Sequence, residues 1–308
     1  MKVWNSILEA GHEIAELKKQ TVATIGNFDG VHLGHQAVLK RAIANARRFD
    51  CLAVALTFSN HPESILGEGP FLLNMPSIRR ELLAKQGLDA LLEIEFTRSF
   101  AALEPEIFFH TWLREALNIK ALVVGHDFRF GSAGRGDYRL LEELTVDQGI
   151  VLERVAPVRV DGEVISSSVI RRLLAEGDIE TANRMLGYNF IIEGEVIKGE
   201  QLGRKLGYPT ANIRLKPGYL FPRYGVYLVR LSLEDRFYFG VANVGVKPTF
   251  GKTIPLVEAY LFDIELDLYH RLVRVEFLRF IRPENRFAGP EALRAQIAKD
   301  IEVARSYL

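Results

Sequence analysis

The stretch Thr21-Val-Ala-Thr-Ile-Gly-Asn-Phe-Asp-Gly-Val-His-Leu-Gly-His35 decides how the first half of the chain folds. Thr21 to Ile25 is apolar and β-branched, the composition of a buried strand, and Gly26, Asp29 and Gly30 then break the run. From His35 to Phe49 apolar residues recur at helical spacing. A glycine-rich turn that feeds a helix presents unpaired N–H groups at a positive dipole end, which suits a polyphosphate. His32 and His35 are three residues apart, so at a helix start both rings can face one point and donate hydrogen bonds to charge developing on a phosphate. A zinc reading of the pair needs a third protein ligand, and no convincing one lies nearby in the sequence.

The same rhythm continues outward. Leu52 to Phe58, Ala90 to Ile94, Ala121 to Val124 and Ile150 to Leu152 read as strands. Ser77 to Gln86, Glu104 to Leu117 and Tyr138 to Gln148 read as helices, with Pro105 tolerated in a first turn. Such β-α repetition predicts a doubly wound parallel sheet, with a ligand site beyond the C-terminal ends of its strands. Three further segments fall where such a site would draw on them. Val123-Val-Gly-His-Asp-Phe-Arg-Phe-Gly131 follows one strand, and Thr57-Phe-Ser-Asn-His-Pro62 ends another. Ile165-Ser-Ser-Ser-Val-Ile-Arg171 opens a helical pattern, where the serines also read as an ordinary N-cap.

Past about residue 185 the pattern changes. Tyr188 to Val196, Tyr224 to Leu233, Arg236 to Val244, Val257 to Phe262 and Arg271 to Phe280 read as strands, and helical spacing returns only over Pro290 to Leu308. The expected class is therefore α/β plus β, a wound sheet followed by a small β-barrel with a terminal helix. At 308 residues two cores are expected. Lys plus Arg and Asp plus Glu are balanced at 39 each, so no overall field favours nucleic acid or an anionic membrane. Cys51 is the only cysteine and sits in an apolar run, which reads as a core thiol. The first residues lack a leader's apolar stretch and no later segment has the length of a span, so a cytoplasmic enzyme is expected.

Within the second half, Gly199-Glu-Gln-Leu-Gly-Arg-Lys-Leu-Gly-Tyr-Pro-Thr-Ala-Asn212 gathers glycines, two basic residues and a Thr-x-Asn pair in one irregular segment able to wrap phosphates. Hydroxyl and carboxamide oxygens suit Mg²⁺. Gly245 and Gly251-Lys-Thr253 imitate a P-loop, but the glycine spacing is one residue too long and Pro255 stands where a helix must begin.

These segments together resemble the prokaryotic bifunctional riboflavin kinase/FMN adenylyltransferases, from about residue 20 to the C-terminus. The first turn is similar to their form of the HxGH signature of the nucleotidyltransferases, which implies a Rossmann-like sheet. The resemblance implies catalytic roles for His32 and His35, and nucleotide or phosphate binding by Gly26, Phe28, Asp29, Gly30, Gly34, Asp127, Ser167, Ser168 and Arg171. The later loop resembles Gly-Arg-x-x-Gly-x-Pro-Thr-Ala-Asn of the riboflavin kinases. That implies phosphate contacts from Gly203, Arg204, Gly207 and Pro209, and Mg²⁺ held with help from Thr210 and Asn212. Glu258, in Val257-Glu-Ala-Tyr-Leu-Phe-Asp263, keeps the family's acidic position and is the expected base for the ribityl hydroxyl. Asn60, Lys247 and Tyr260 depart from the usual residues, so no role is carried onto them and His61 is a weaker candidate. The implied substrates are ATP, riboflavin and FMN, with an adenylyltransferase domain over 1–186 and a kinase domain over 187–308. Two competitors stay open: an enzyme retaining one of the activities, and a regulator that binds flavin without turnover.

Overall fold

The computed structural model describes residues 1–67, 71–199, 203, 206–215, 218–234, 236–249, 252–264 and 266–308, with backbone alone at 66, 247–249 and 252–255. The chain forms two compact units, residues 1–72 with 76–166 and residues 73–75 with 167–308.

The main sheet of the first unit holds six strands: β1 (Lys2–Trp4), β2 (Thr21–Ile25), β3 (Leu52–Phe58), β4 (Ala90–Ile94), β5 (Ile119–Gly125) and β6 (Val151–Val155). They pair in parallel in the order β1-β4-β3-β2-β5-β6. A short antiparallel pair, β7 (Arg159–Val160) and β8 (Glu163–Val164), follows β6. The chain builds outward from β2 through β3 and β4, then returns to its other side at β5, so the direction of winding switches between β2 and β5. Alternate residues of one strand feed opposite faces. Ala23 and Ile25 join a core with Ile14, Phe109 and Leu122, while Val22 joins one with Leu39, Ala53 and Val123. The helices are α1 (Ile7–Leu17), α2 (Leu33–Phe49), α3 (Glu63–Leu66), α4 (Pro76–Lys85), α5 (Arg98–Ala101), α6 (Pro105–Ile107) and α7 (Tyr138–Thr145).

Several features go beyond the sequence reading, and two of them shape the main sheet's surroundings. The strand β1 and helix α1 precede the first expected strand; three residues carry no readable period, and Trp4 anchors β1 by being 1% exposed. The expected helix from Glu104 widens after α6 into a π-helical stretch, Phe108–Ala116, where Leu117 N–H reaches Trp112 O at 2.9 Å.

In the second unit, α8 (Ser167–Glu176) and α9 (Ile179–Leu186) lead into β9 (Phe190–Ile197), β10 (Ala211–Leu215), β11 (Gly225–Leu233), β12 (Arg236–Thr249), β13 (Lys252–Leu261) and β14 (Leu272–Pro283), then α10 (Pro290–Arg305). The six strands close into an antiparallel barrel in the order β10-β13-β12-β11-β14-β9, sealed by β9 against β10. Phe190, Ile192 and Val196 are buried at alternate positions along β9, the period that fills a small barrel. Helix α9 docks on this barrel: the Asn183 amide donates to Phe277 O at 2.8 Å and its Oδ1 accepts from Phe190 N–H at 2.7 Å. Strand β10 is absent from the sequence reading, because Pro209 and the short apolar content of Ala211–Leu215 disguise it as loop.

Candidate functional sites

Strand β2 hands the chain to α2 through a turn held in unusual backbone conformations. Phe28, Gly30 and Val31 have φ of 47°, 82° and 35°. At Phe28 and Val31 this costs roughly 1–3 kcal/mol each, and burial to 2% and 0% exposure holds it in place. The turn delivers His32 as the N-cap of α2, its Nδ1 accepting from His35 N–H at 3.2 Å. That bond puts the proton of a neutral His32 ring on Nε2, which makes Nε2 the donor. The two imidazoles stack with centroids 3.6 Å apart, and Phe28 meets His35 edge-on at 5.3 Å. Burial, and then the charge of His32, push the His35 pKa well below the ordinary histidine value. His35 Nδ1 is buried without a hydrogen-bond partner. A Cβ on Gly34 would come within 3.1 Å of the His32 ring, so glycine lets the two rings close.

A cleft of about 670 Å³ opens beside this turn, past the ends of β2, β3, β4 and β5, as a wound sheet requires. Gly26 and Asn27 form one wall, and Phe58, Phe96, Phe100, Phe108, Phe128 and Phe130 supply aromatic surface. Phe58 meets Phe96 edge-on at 5.0 Å, and Phe128 stacks on Phe130 at 5.6 Å. Asp127 stands at the end of β5, 80% exposed, with His126 Nδ1 3.7 Å from its Oδ1. Asn60 clips two strand ends together, its amide donating to Phe96 O at 3.0 Å and accepting from Phe96 N–H at 2.8 Å. His61 instead serves its own turn, accepting from Glu63 N–H at 3.3 Å. Ser167 and Ser168 form the first turn of α8, with Arg171 one turn on.

In the barrel, β10, β13 and β12 lie side by side, and their register sets Asn212 opposite Glu258 and Glu258 opposite Asn243. Asn212 is 5% exposed and its Oδ1 is buried without a partner. A Cβ on Gly199 would lie 2.4 Å from Asn212 Nδ2, so only glycine admits the amide there. Gly203 O accepts from Leu206 N–H at 3.1 Å and Tyr208 N–H at 2.8 Å, curling the loop back toward Thr210. Arg204 lies outside the described residues. A cavity of about 290 Å³ is bordered by Gly203, Thr210, Asn243, Glu258, Tyr260 and Phe287. Helix α10 walls one side, fixed by Arg282 clasping Asp300 through two bonds of 2.8 Å. Pro209 and Thr210 also border a second cavity of about 400 Å³, lined by Ala259, Leu261 and Tyr269. Thr210 thus stands between the two.

Comparison with known proteins decides what these sites belong to. Residues 14–169 match the FAD synthetase family and residues 186–308 the riboflavin kinase family. The bifunctional riboflavin kinase/FMN adenylyltransferase of Escherichia coli (strain K12) is 36% identical over 300 residues, 96% of each chain. That of Haemophilus influenzae is also 36% identical, over 96% of this chain and 97% of its own. This chain belongs to the bifunctional riboflavin kinase/FMN adenylyltransferase family. It phosphorylates riboflavin to FMN and adenylylates FMN to FAD, with ATP, riboflavin and FMN as substrates. A solved structure described as a macrolide-efflux protein from Streptococcus pneumoniae is 31% identical and superimposes with a TM-score of 0.86, over 93% of this chain and 94% of that one. Among the described residues no helix is long and apolar enough to cross a membrane, and the efflux in that description is not carried over.

The family motifs account for the glycines, the histidine pair and Glu258, and their segments carry Phe58, Phe128 and Phe130, but they leave out other rings that shape the cavities. Phe96, Phe100 and Phe108 come from segments with no motif, Tyr260 stands where the sequence departs from the family's usual residue, and Phe287 lies outside the motifs that carry the resemblance. Clusters of phenylalanine after a strand end, such as Phe96 and Phe100 beyond β4, are the signal that could have found the first set.

Proposed function

We propose that the two reactions run at separate sites, adenylyl transfer at the β2–α2 turn and phosphorylation on the barrel. The observation that carries this reading is that motif residues border two different cavities, Gly26 the aromatic cleft beside the histidine turn and Gly203, Thr210 and Glu258 the cavity of the barrel. In the first, the aromatic cleft takes the flavin ring, and a phosphate oxygen of FMN attacks the α-phosphorus of ATP as pyrophosphate leaves. His32 Nε2–H and the His35 ring donate to the oxygens that gain charge, and burial favours the uncharged form of His35. Gly26, Phe28, Asp29, Gly30 and Gly34 shape the backbone that faces the phosphates. Asp127, Ser167, Ser168 and Arg171 are assigned to the nucleotide by their motifs alone.

On the barrel, Glu258 accepts the proton of the ribityl hydroxyl as it attacks the γ-phosphate, and ADP leaves. Tyr260 and Phe287 offer faces for the flavin, while Gly203, Arg204, Gly207 and Pro209 belong to the nucleotide loop. The donors present fit Mg²⁺: Asn212 Oδ1 is a buried oxygen without a partner, and Thr210 adds a hydroxyl two residues away. Among the described residues no group of three His, Cys, Asp or Glu is placed to hold a metal, so ATP phosphates must complete the shell. When bound, the ion neutralises charge on the transferring phosphoryl group.

The reading places the functional boundary after residue 186, where the riboflavin kinase match begins, although α8 and α9 pack with the barrel. It also places both steps in the cytoplasm, since one buried cysteine requires no oxidising compartment. Chromatography of riboflavin incubated with ATP and Mg²⁺ tests the scheme. FMN is expected first and FAD after it, and both should stop on chelation; FAD formed from FMN without any divalent ion would remove Mg²⁺ from the first site.

A further inference from the structure

One buried charge in the first unit is used by neither motif. Arg79, on α4, is 4% exposed, and Glu93, next to the C-terminal end of the buried strand β4, is 3% exposed. The Arg79 Nη2 donates to Glu93 Oε1 at 2.9 Å and to Phe58 O at 2.5 Å, while Nη1 donates to Asn27 O at 3.3 Å. Arg80 holds the other carboxylate oxygen, its Nε 2.5 Å from Oε2. Thr57, paired in register with Glu93, donates its hydroxyl to the same Asn27 carbonyl at 3.2 Å. One guanidinium therefore joins the ends of β2, β3 and β4, on the rim where the aromatic cleft opens.

The arrangement is a poor device for stability. Two desolvated charges gain little over an apolar pair of the same volume, and Arg79 Nε is left buried without an acceptor. What the guanidinium holds is more telling. The Asn27 carbonyl belongs to the peptide plane just before Phe28, the first residue of the turn in left-handed conformation, and that turn aims His32 and His35. Phe58 contributes a ring to the cleft itself.

We propose that Arg79, backed by Glu93, is a positioning residue for adenylyl transfer: it fixes the Asn27–Phe28 peptide and the Phe58 carbonyl so that the histidine pair and the flavin cleft keep their mutual geometry. This rests on the assignment of adenylyl transfer to the β2–α2 turn. Misplacement of reacting groups by about 1 Å costs up to roughly 10²-fold in rate.

The test uses the full chain carrying Arg79→Met with Glu93→Leu, an apolar replacement for the pair. Thermal unfolding and riboflavin phosphorylation should stay near wild type. The kcat for FAD formation from FMN should fall about 10- to 10²-fold, with KM for FMN changed less than about 3-fold. A wild-type kcat overturns the proposal, and so does a loss confined to KM. If the double variant does not fold, Arg79→Lys keeps the charge beside Glu93 but cannot donate to Glu93, Phe58 O and Asn27 O together; a several-fold fall in the same kcat supports the proposal and an unchanged kcat overturns it. His32→Ala runs alongside. If it is inactive while the Arg79 variant is not, only the positioning role falls; if it makes FAD at the wild-type rate, the site assignment and this proposal fall together.

Discussion

His32 and His35 meet because one turn of chain folds them together, whereas Asn212, Glu258 and Asn243 meet because three strands pair in one register. The first site is local and strained, with left-handed φ at Phe28 and Val31 held by the core beneath. The second is unstrained in its strands but assembled from distant segments, and a one-residue slip of β10 or β13 would turn its side chains to the other face. A local site is vulnerable to changes of backbone shape, and a register-built site to changes of pairing or of the space around each side chain. On the proposed assignment, one chain therefore holds two phosphate-handling sites with different failure modes.

The sharpest way to break this contrast is to remove one chemical group from each side. Glu258→Gln keeps the shape and loses the proposed base, so FMN formation should fall roughly 10²- to 10⁴-fold while added FMN is still converted to FAD. His32→Ala should do the reverse, lowering FAD formation about 10²- to 10³-fold and sparing the kinase. Time courses resolved by chromatography measure both in one assay. Equal loss of both steps in either variant would refute separate sites.

A smaller effect probes the space around Asn212. Gly199→Ala adds a Cβ that meets the carboxamide at 2.4 Å and must displace it. The expected result is an about tenfold higher requirement for Mg²⁺ or ATP in the kinase step, from the loss of one neutral oxygen ligand. The adenylyl step should not change. A kinase whose Mg²⁺ titration is unmoved by Gly199→Ala would show that Asn212 is no part of the metal's surroundings.

The two sites are not equally legible in the sequence. The β2–α2 turn can be read because strand, glycines and helix follow one another, so sequence order is spatial order. The barrel as a class is readable from its alternating strands, yet β10 is not, and with it goes the pairing that sets Asn212 against Glu258. Asn60 looks like a departure from a motif; its clip on the Phe96 backbone exists only across two neighbouring strand ends. Glu93 lies in a run that reads as plainly apolar, Ala90-Leu-Leu-Glu-Ile94, and its partner Arg79 sits on a separate helix. What the sequence withholds in each case is a contact between residues that no local period or motif relates.

The smallest expected effect separates the sites by pH. Burial first, and the neighbouring His32 second, hold the His35 pKa well below the ordinary value of 6.5. In the unfolded chain the same ring binds a proton near that value, so below it the unfolded state holds more protons than the folded one. Stability contributed at this position is complete above about pH 6.5 and declines as pH falls from there toward the depressed folded pKa. The melting temperature of the full chain should therefore drop on acidification from about pH 7.5 to about 5.5, and His35→Gln should flatten that part of the profile. No such histidine lies among the barrel residues assigned to phosphorylation, so Glu258→Gln should leave the slope in this window as it is. If His35→Gln melts with the wild-type pH dependence, the His35 ring is not kept neutral by its burial, and the case for hydrogen-bond donation from an uncharged His35 fails.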